Sequence, residues 1–246
     1  MMQLRRYAAQ THQGPYLELN EDDISVDLNN QLYMILDGFG GNEIGIKAVQ
    51  LLKDTINQFY TKIGGDPEAT LPFFYSYKYL IEGNALINAM YYAHELMKKE
   101  NLNKEMSSRG GASALAVSSS ENILTFASVG NCKSLLFRKG ELVEFIVPES
   151  LNFLSKDNFE SHFQSSPTNA FGLFDDFHYQ VKEVRISPYD VFILMTDGVY
   201  SRLNADEIKH IINKKDFSNQ ERIQELFKLS NMRGNLDNQS MIILEY

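Results

Sequence analysis

The order of apolar patterns along the chain is the feature that most limits its fold. Alternating or short apolar stretches typical of strands lie near the start of the 246-residue chain, in its centre and at its end. Helical patterns form separate blocks between them. A parallel α/β sheet needs strands and helices in alternation, which this order does not provide. The pattern therefore favours an α+β sandwich.

The predicted elements follow from apolar periodicity and from Gly, Pro and Asn breaks. Strands are predicted at 23–27, 32–36, 112–117, 122–129, 134–140, 141–147, 181–186, 191–195 and 240–246. Helices are predicted at 44–59, 79–99, 205–213 and 220–229. The four central strands follow one another closely, which predicts a β-meander. Residues 148–178 have the weakest pattern and are predicted to form a long surface excursion.

Composition limits the class of protein. An apolar fraction of 43%, with 16 Phe and 13 Tyr, indicates a packed interior, and we expect one domain over residues 1–246. The net charge of −9 argues against nucleic acid and anionic membrane as partners. The sequence has neither a membrane-length apolar run nor a signal peptide, so we expect a cytoplasmic protein. Cys132 is the single cysteine, which excludes an intrachain disulfide and a thiolate zinc site.

Three aspartates lie at the ends of predicted strands, in Asp37-Gly38, Asp197-Gly198 and Asp237-Asn238. Each alone is typical of a turn, because Asp, Asn and Gly are common turn residues. If sheet pairing brings the strand ends together, the carboxylates crowd, and a cation or protons must compensate their charge. Oxygen-only ligands favour hard cations such as Mg²⁺ or Mn²⁺.

Segments in the same order resemble the metal-dependent protein phosphatases of the PPM, or type 2C, family along nearly the whole chain. They are THQGPYLELNED (11–22), LDGFGGNEIG (36–45), GGASALAV (110–117), ASVGNCKSLLFRKGEL (127–142), VFILMTDGVYSRL (191–203) and GNLDNQSMIILEY (234–246). The resemblance implies a four-layer αββα sandwich, in which helices flank two antiparallel sheets. The short chain is similar in length to the compact bacterial members.

The resemblance also implies a two-metal site and a phosphorylated protein as substrate. The implied metal ligands are oxygen donors: Glu21, Asp37, Gly38 through its carbonyl, Asp197 and Asp237. Asp37 would bridge two Mg²⁺ or Mn²⁺ ions, and Glu21 would act through water. The implied catalytic residues are Asp22, Asp37, Asp197 and Asp237, with Asp22 orienting a metal-bound water. That water would attack phosphoserine or phosphothreonine without a protein nucleophile. We expect a monomer.

Two positions depart from the family pattern. Leu17 stands where the family usually has an arginine that grips the substrate phosphate, and losing that contact costs about 1.5 to 3 kcal/mol unless another group replaces it. The candidates for replacement are Arg5, Arg6 and Arg109. Asn131 stands where an aspartate helps to bind a third metal, which argues against a third ion.

Other functions remain open at this stage. A pseudophosphatase would keep the fold and bind a partner or phosphopeptide without turnover, and Leu17 and Asn131 favour it. The retained carboxylates argue against it, because a binding module has no reason to tolerate their repulsion without a metal. A regulator that contacts a partner through residues 148–178 is a third alternative. Serine-hydrolase and P-loop chemistry lack their motifs.

Overall fold

Two antiparallel sheets lie at the centre of the computed structural model, which describes residues 3–41, 43–64, 70–151 and 166–246. The strands are β1 (Arg6–His12), β2 (Asp22–Asp27), β3 (Leu32–Phe39), β4 (Gly111–Ser120), β5 (Ile123–Val129), β6 (Lys133–Arg138), β7 (Glu141–Ile146), β8 (Gln180–Arg185), β9 (Val191–Met195) and β10 (Gln239–Glu245). The helices are α1 (Ile44–Gly64), α2 (Ile81–Asn101), α3 (Asp197–Tyr200), α4 (Ala205–Ile212) and α5 (Asn219–Met232), with a 3₁₀ turn at Met106–Ser108.

Each sheet has five strands. The first has the order β1-β10-β9-β6-β7, and the second has the order β2-β3-β4-β5-β8. All neighbouring strands are antiparallel. This arrangement brings the C-terminal strand β10 between β1 and β9, so that both ends of the chain contribute to one sheet.

Side-chain alternation along β3 separates two of the three apolar cores. Leu32, Met34 and Leu36 point to one face and pack in a core with α1 and α2. Tyr33 and Ile35 point to the other face and pack in the core between the sheets. A third core lies between the first sheet and the helices α4 and α5. The layers are therefore helices, sheet, sheet and helices, which confirms the predicted αββα sandwich.

The pairing of the central strands corrects the predicted meander. The strands themselves form, but β5 pairs with β8, and β6 pairs with β9 in the other sheet. The chain crosses between the sheets at Gly130–Cys132, so the four strands are two hairpins in different sheets. Strand β1 was not predicted, because its sequence RYAAQTH has few β-branched residues. Its pairing with β10 makes it a strand.

The helices begin where their sequences supply caps or breaks. Asn204 and Ser218 form capping boxes with Glu207 and Glu221, which satisfy free N–H groups at the starts of α4 and α5. Helix α2 begins two residues later than predicted and ends two residues later.

Among the described residues, none of the helices combines the length and the apolar character needed to cross a lipid bilayer.

Candidate active site

The two sheets bring four aspartates to one edge of the sandwich. In the second sheet, β2 and β3 pair Asp22 directly with Asp37. In the first sheet, β9 ends just before Thr196-Asp197, and its neighbour β10 begins just after Asp237-Asn238. A hydrogen bond of 2.8 Å from Thr196 Oγ1 to Asp22 Oδ2 joins the sheets at this edge.

A cleft of about 560 Å³ opens at this edge. Of the metal-ligand and catalytic residues implied by the sequence, all except Asp22 line it; they are Glu21, Asp37, Gly38, Asp197 and Asp237. Asp22 is 7% exposed, and Thr196 Oγ1 donates a hydrogen bond to its carboxylate. Asp22 therefore supports the cluster from inside the fold, whereas the other carboxylates face the cleft.

Burial and mutual repulsion disfavour the charged forms of these carboxyl groups. Burial raises the pKa of Asp37 well above its usual range, and the charges of Asp22 and Asp237 raise it further. The pKa of Asp197 is also raised well above its usual range, first by burial and then by the charges of Asp37 and Asp237. Burial raises the pKa of Asp237 as well. The cluster therefore favours any ligand that brings positive charge.

Glu21 differs from the aspartates because it lies at the N-terminus of α1. Its Oε1 accepts a hydrogen bond of 3.1 Å from the backbone N–H of Gly45, in the first turn of that helix. Burial raises its pKa, and hydrogen bonds from the N–H groups of Gly45 and Gly41 partly offset that rise. The helix end therefore fixes Glu21 on the cleft wall.

The donor set fits a hard divalent cation. The Oδ2 atom of Asp37 is buried and has no hydrogen-bond partner, and the acidic residues of the cleft offer only oxygen donors. In the described part of the chain, no three Asp, Glu, His or Cys side chains form a ready-made metal cage. Three side chains placed together are not needed if the carbonyl of Gly38 is also a ligand and Glu21 acts through a water molecule.

The side chain of Asn238 positions the loop that precedes Asp22. Its Nδ2 donates to the carbonyl oxygens of Gln13 at 2.8 Å and Leu19 at 2.9 Å. Its Oδ1 accepts from the backbone N–H of Glu21 at 2.8 Å. The sequence marked Asn238 only as the neighbour of Asp237, because these partners lie more than 200 positions away in the chain.

Close backbone contacts explain the glycines that follow two of the aspartates. A Cβ atom on Gly38 would lie 2.7 Å from the carbonyl oxygens of Glu21 and Gly45. A Cβ atom on Gly198 would overlap the carbonyl group of Asn238. The Asp-Gly pairs at the cleft are therefore required by strand packing as well as being typical of turns.

Comparison with known proteins identifies the family. The model of the family described as stage II sporulation protein E (SpoIIE) matches residues 84–230, which is more than half of the chain. The chain belongs to the SpoIIE family. SpoIIE proteins are PPM-type, which confirms the resemblance found in the sequence. A search of curated protein sequences finds no significant match.

Solved structures of PPM phosphatases share the fold of this SpoIIE-family chain. The serine/threonine phosphatase PstP of Mycobacterium tuberculosis is 20% identical, with a TM-score of 0.78 over 98% of this chain and 97% of that one. MsPP from Mycobacterium smegmatis, solved with cacodylate, is 20% identical, with a TM-score of 0.77 over 99% of both chains. The PstP catalytic domain solved with two manganese ions is 18% identical, with a TM-score of 0.74 over 98% and 97%.

The two departures from the PPM pattern lie in this cleft of the SpoIIE-family chain. Leu17 lines it, and none of the candidate arginines does. Arg5 lies over the ring of Tyr189, Arg6 pairs with Glu245, and Arg109 donates to the carbonyl of Lys104. In the described structure, none of the three therefore lies at the cleft in place of the missing arginine. The Nδ2 atom of Asn131 donates to Asp197 Oδ2 at 2.9 Å.

Proposed function

We propose that this chain is a metal-dependent phosphatase that hydrolyses phosphoserine or phosphothreonine in proteins. The observation that carries the proposal is the meeting of Glu21, Asp37, Asp197 and Asp237 in one cleft. None of the described residues that line this cleft is Lys, Arg or His. Membership of the SpoIIE family and the likeness to serine/threonine phosphatases support the same class of reaction.

The cleft residues would hold two Mg²⁺ or Mn²⁺ ions. We assign Asp37 to both ions, Asp197 and Asp237 to one, and the carbonyl of Gly38 with Glu21 to the other. Such ions supply a nucleophilic water near neutral pH and stabilise charge on phosphoryl oxygens. The two manganese ions in the PstP structure support this number. Asn131 is neutral and bound to Asp197, which supports two ions and not three.

Asp22 is assigned a positioning role instead of the predicted catalytic one. It does not line the cleft, and Thr196 Oγ1 donates a hydrogen bond to its carboxylate. The backbone N–H of Ser240 in turn donates to Thr196 Oγ1 at 3.0 Å. This chain of hydrogen bonds holds the end of β2 against β10, so that Asp37, which is paired with Asp22, faces Asp197 across the two sheets.

A phosphopeptide-binding module without turnover is the second candidate. Leu17 favours it, because a leucine offers no contact to phosphate and none of the described cleft residues is cationic. The buried carboxylates favour the enzyme, since a bound divalent cation would relieve their mutual repulsion.

The test is hydrolysis of para-nitrophenyl phosphate and of a phosphothreonine peptide with Mn²⁺, Mg²⁺ or EDTA. The variants are Asp37→Ala and Asp197→Ala, and the matched control is Asp216→Ala, which removes an exposed aspartate from outside the cleft. We expect turnover that requires metal, is lost in both cleft variants and is unchanged in the control.

Metal binding measured by calorimetry separates the two candidates. Turnover together with metal binding establishes the enzyme. Metal binding without turnover of either substrate would favour the binding module. Turnover that survives EDTA and Asp37→Ala would contradict the proposed site itself.

A further inference from the structure

The rim of the cleft carries apolar residues, although its wall is acidic. Leu17 and Leu19 line the cleft, and they are 37% and 41% exposed. Phe39 and Pro167 line the same cleft. Exposed leucines scattered singly over a surface need no explanation, but apolar side chains gathered around an acidic cleft indicate a contact surface.

The loop that carries the two leucines is held in place at both ends. Asn238 donates hydrogen bonds to the carbonyl oxygens of Gln13 and Leu19, which precede and follow Leu17. Asn20 Nδ2 donates to Thr11 Oγ1 at 2.8 Å. The leucines are therefore fixed relative to Asp237, the neighbour of Asn238. A preorganised contact surface loses less conformational entropy when a ligand binds.

The charge of the cleft limits what its rim can recognise. Glu18 lies between the two leucines in sequence, is exposed and also lines the cleft. Since none of the described lining residues is cationic, the described part of the cleft offers no ion pair to an acidic peptide. Apolar contact is the recognition that the rim does offer, because Leu17 occupies the position at which the PPM pattern has arginine.

Resting on the proposed function, we propose that Leu17 and Leu19 select phosphoproteins with an apolar residue next to the phosphorylated serine or threonine. Both leucines line the same 560 Å³ cleft as Asp37. A peptide whose phosphate binds at metal ions held by the acidic wall would place its neighbouring residues near the rim. An added apolar contact in such a site changes kcat/KM by about 10- to 200-fold.

The experiment compares phosphothreonine peptides that differ only beside the phosphothreonine, with Leu, Ala, Lys or Glu on both sides. Two readouts are taken with Mn²⁺: kcat/KM for dephosphorylation, and Kd by fluorescence anisotropy of labelled peptide. The test variant is Leu17→Ala/Leu19→Ala. The matched control is Leu28→Ala/Leu102→Ala, which removes two exposed leucines that do not line the cleft.

We expect the wild-type chain and the control to prefer the leucine peptide over the alanine peptide by about tenfold, and the test variant to lose this preference. Equal kcat/KM and Kd for the leucine and alanine peptides would overturn the inference, as would a preference that survives in Leu17→Ala/Leu19→Ala. Leucine-selective binding without turnover would support the inference and contradict the proposed enzyme. Failure to bind any of the phosphopeptides would overturn both.

Discussion

Strand β9 has a buried aspartate next to each of its ends, and the two differ in what surrounds them. Asp190 precedes the strand and is 1% exposed, while Asp197 follows it and is 5% exposed. Arg138 donates two hydrogen bonds to Asp190, at 2.8 and 2.7 Å, and the backbone N–H of Ser187 donates a third. Asp197 instead faces the charges of Asp37 and Asp237.

The comparison shows that the role of a buried aspartate depends on the groups that surround its carboxylate, and not on burial alone. When an arginine donates two hydrogen bonds to an aspartate and a backbone N–H donates a third, the negative charge is compensated within the fold. The role of such an aspartate is structural. A buried aspartate whose neighbours are other carboxylates leaves a charge that a ligand can compensate. Substituting asparagine, which has nearly the same shape, should therefore have opposite effects at the two ends.

The largest expected effect is at the compensated end. Asp190→Asn removes the charge that Arg138 pairs with, and we expect the free energy of unfolding to fall by about 2 to 3 kcal/mol. Urea denaturation measures the change. The control is Glu141→Gln, whose pair with Lys209 is exposed, and its effect should stay below about 0.5 kcal/mol. Equal effects of the two substitutions would show that Asp190 is not a structural anchor.

Among the carboxylates that surround Asp197, the sign should reverse. Asp37→Asn removes one of several repelling buried carboxylates, so in EDTA we expect the free energy of unfolding to rise by about 1 to 2 kcal/mol. In Mn²⁺ the order should invert, because the wild-type chain gains stability from bound metal and the variant loses a ligand. Urea denaturation in both buffers tests this. A destabilised variant in EDTA would mean that Asp37 is already compensated inside the fold.

A substitution at Asn131 can add a further negative charge beside Asp197. Asn131→Asp replaces the donor to Asp197 with another negative charge, and we expect a loss of about 1 kcal/mol in EDTA that Mn²⁺ restores. Asn131→Ala is the matched control, because it removes the same hydrogen bond without adding charge. The melting temperature should rise more on adding Mn²⁺ in Asn131→Asp than in Asn131→Ala. Equal rises would show that position 131 does not reach the bound ions.

The sequence predicted the acidic end of this comparison better than the compensated end. Asp37, Asp197 and Asp237 each follow or precede an apolar strand beside glycine or asparagine, which is a local signal. Arg138 and Asp190 are 52 positions apart, and neither has a local pattern that marks it. Their pairing depends on the register of β6 with β9, which the predicted meander did not contain.

The same limit applies to the residues that support the site. Asp22 was predicted from Asn-Glu-Asp to orient a metal-bound water, but its hydrogen bond from Thr196, which lies 174 positions away in the chain, has no local signal. The contacts of Asn238 link positions more than 200 residues apart. Part of the predicted 148–178 surface excursion, residues 152–165, lies outside the described residues. The prediction is wrong at Ala170 and Phe171, which are fully buried, and Phe171 packs in the core beside α1 and α2. Local motifs can be recognised in a sequence, whereas contacts between residues far apart in the chain can be seen only in the folded structure.

His94 extends the comparison to a buried group that can become positive. It is 1% exposed, its Nδ1 accepts the backbone N–H of Gly172 at 3.2 Å, and its ring packs 4.3 Å from Phe177. Burial lowers its pKa below the usual 6.5, although the nearby charges of Glu95 and Asp175 oppose the shift and Lys98 adds to it. The neutral ring is therefore the form that the fold accommodates.

This depressed pKa gives the smallest predicted effect, with a definite sign. Above about pH 6.5 the ring is neutral in both states, so its contribution to stability is fully present. As the pH falls below 6.5, the unfolded chain takes up a proton that folded His94 resists, so stability falls, by at most about 1.4 kcal/mol per pH unit. In His94→Asn the amide can still accept from Gly172, but it does not titrate. Urea denaturation between pH 7.5 and 5 should therefore show a shallower decline for His94→Asn than for the wild-type chain. Parallel curves would mean that His94 takes up its proton as readily in the folded chain as in the unfolded one.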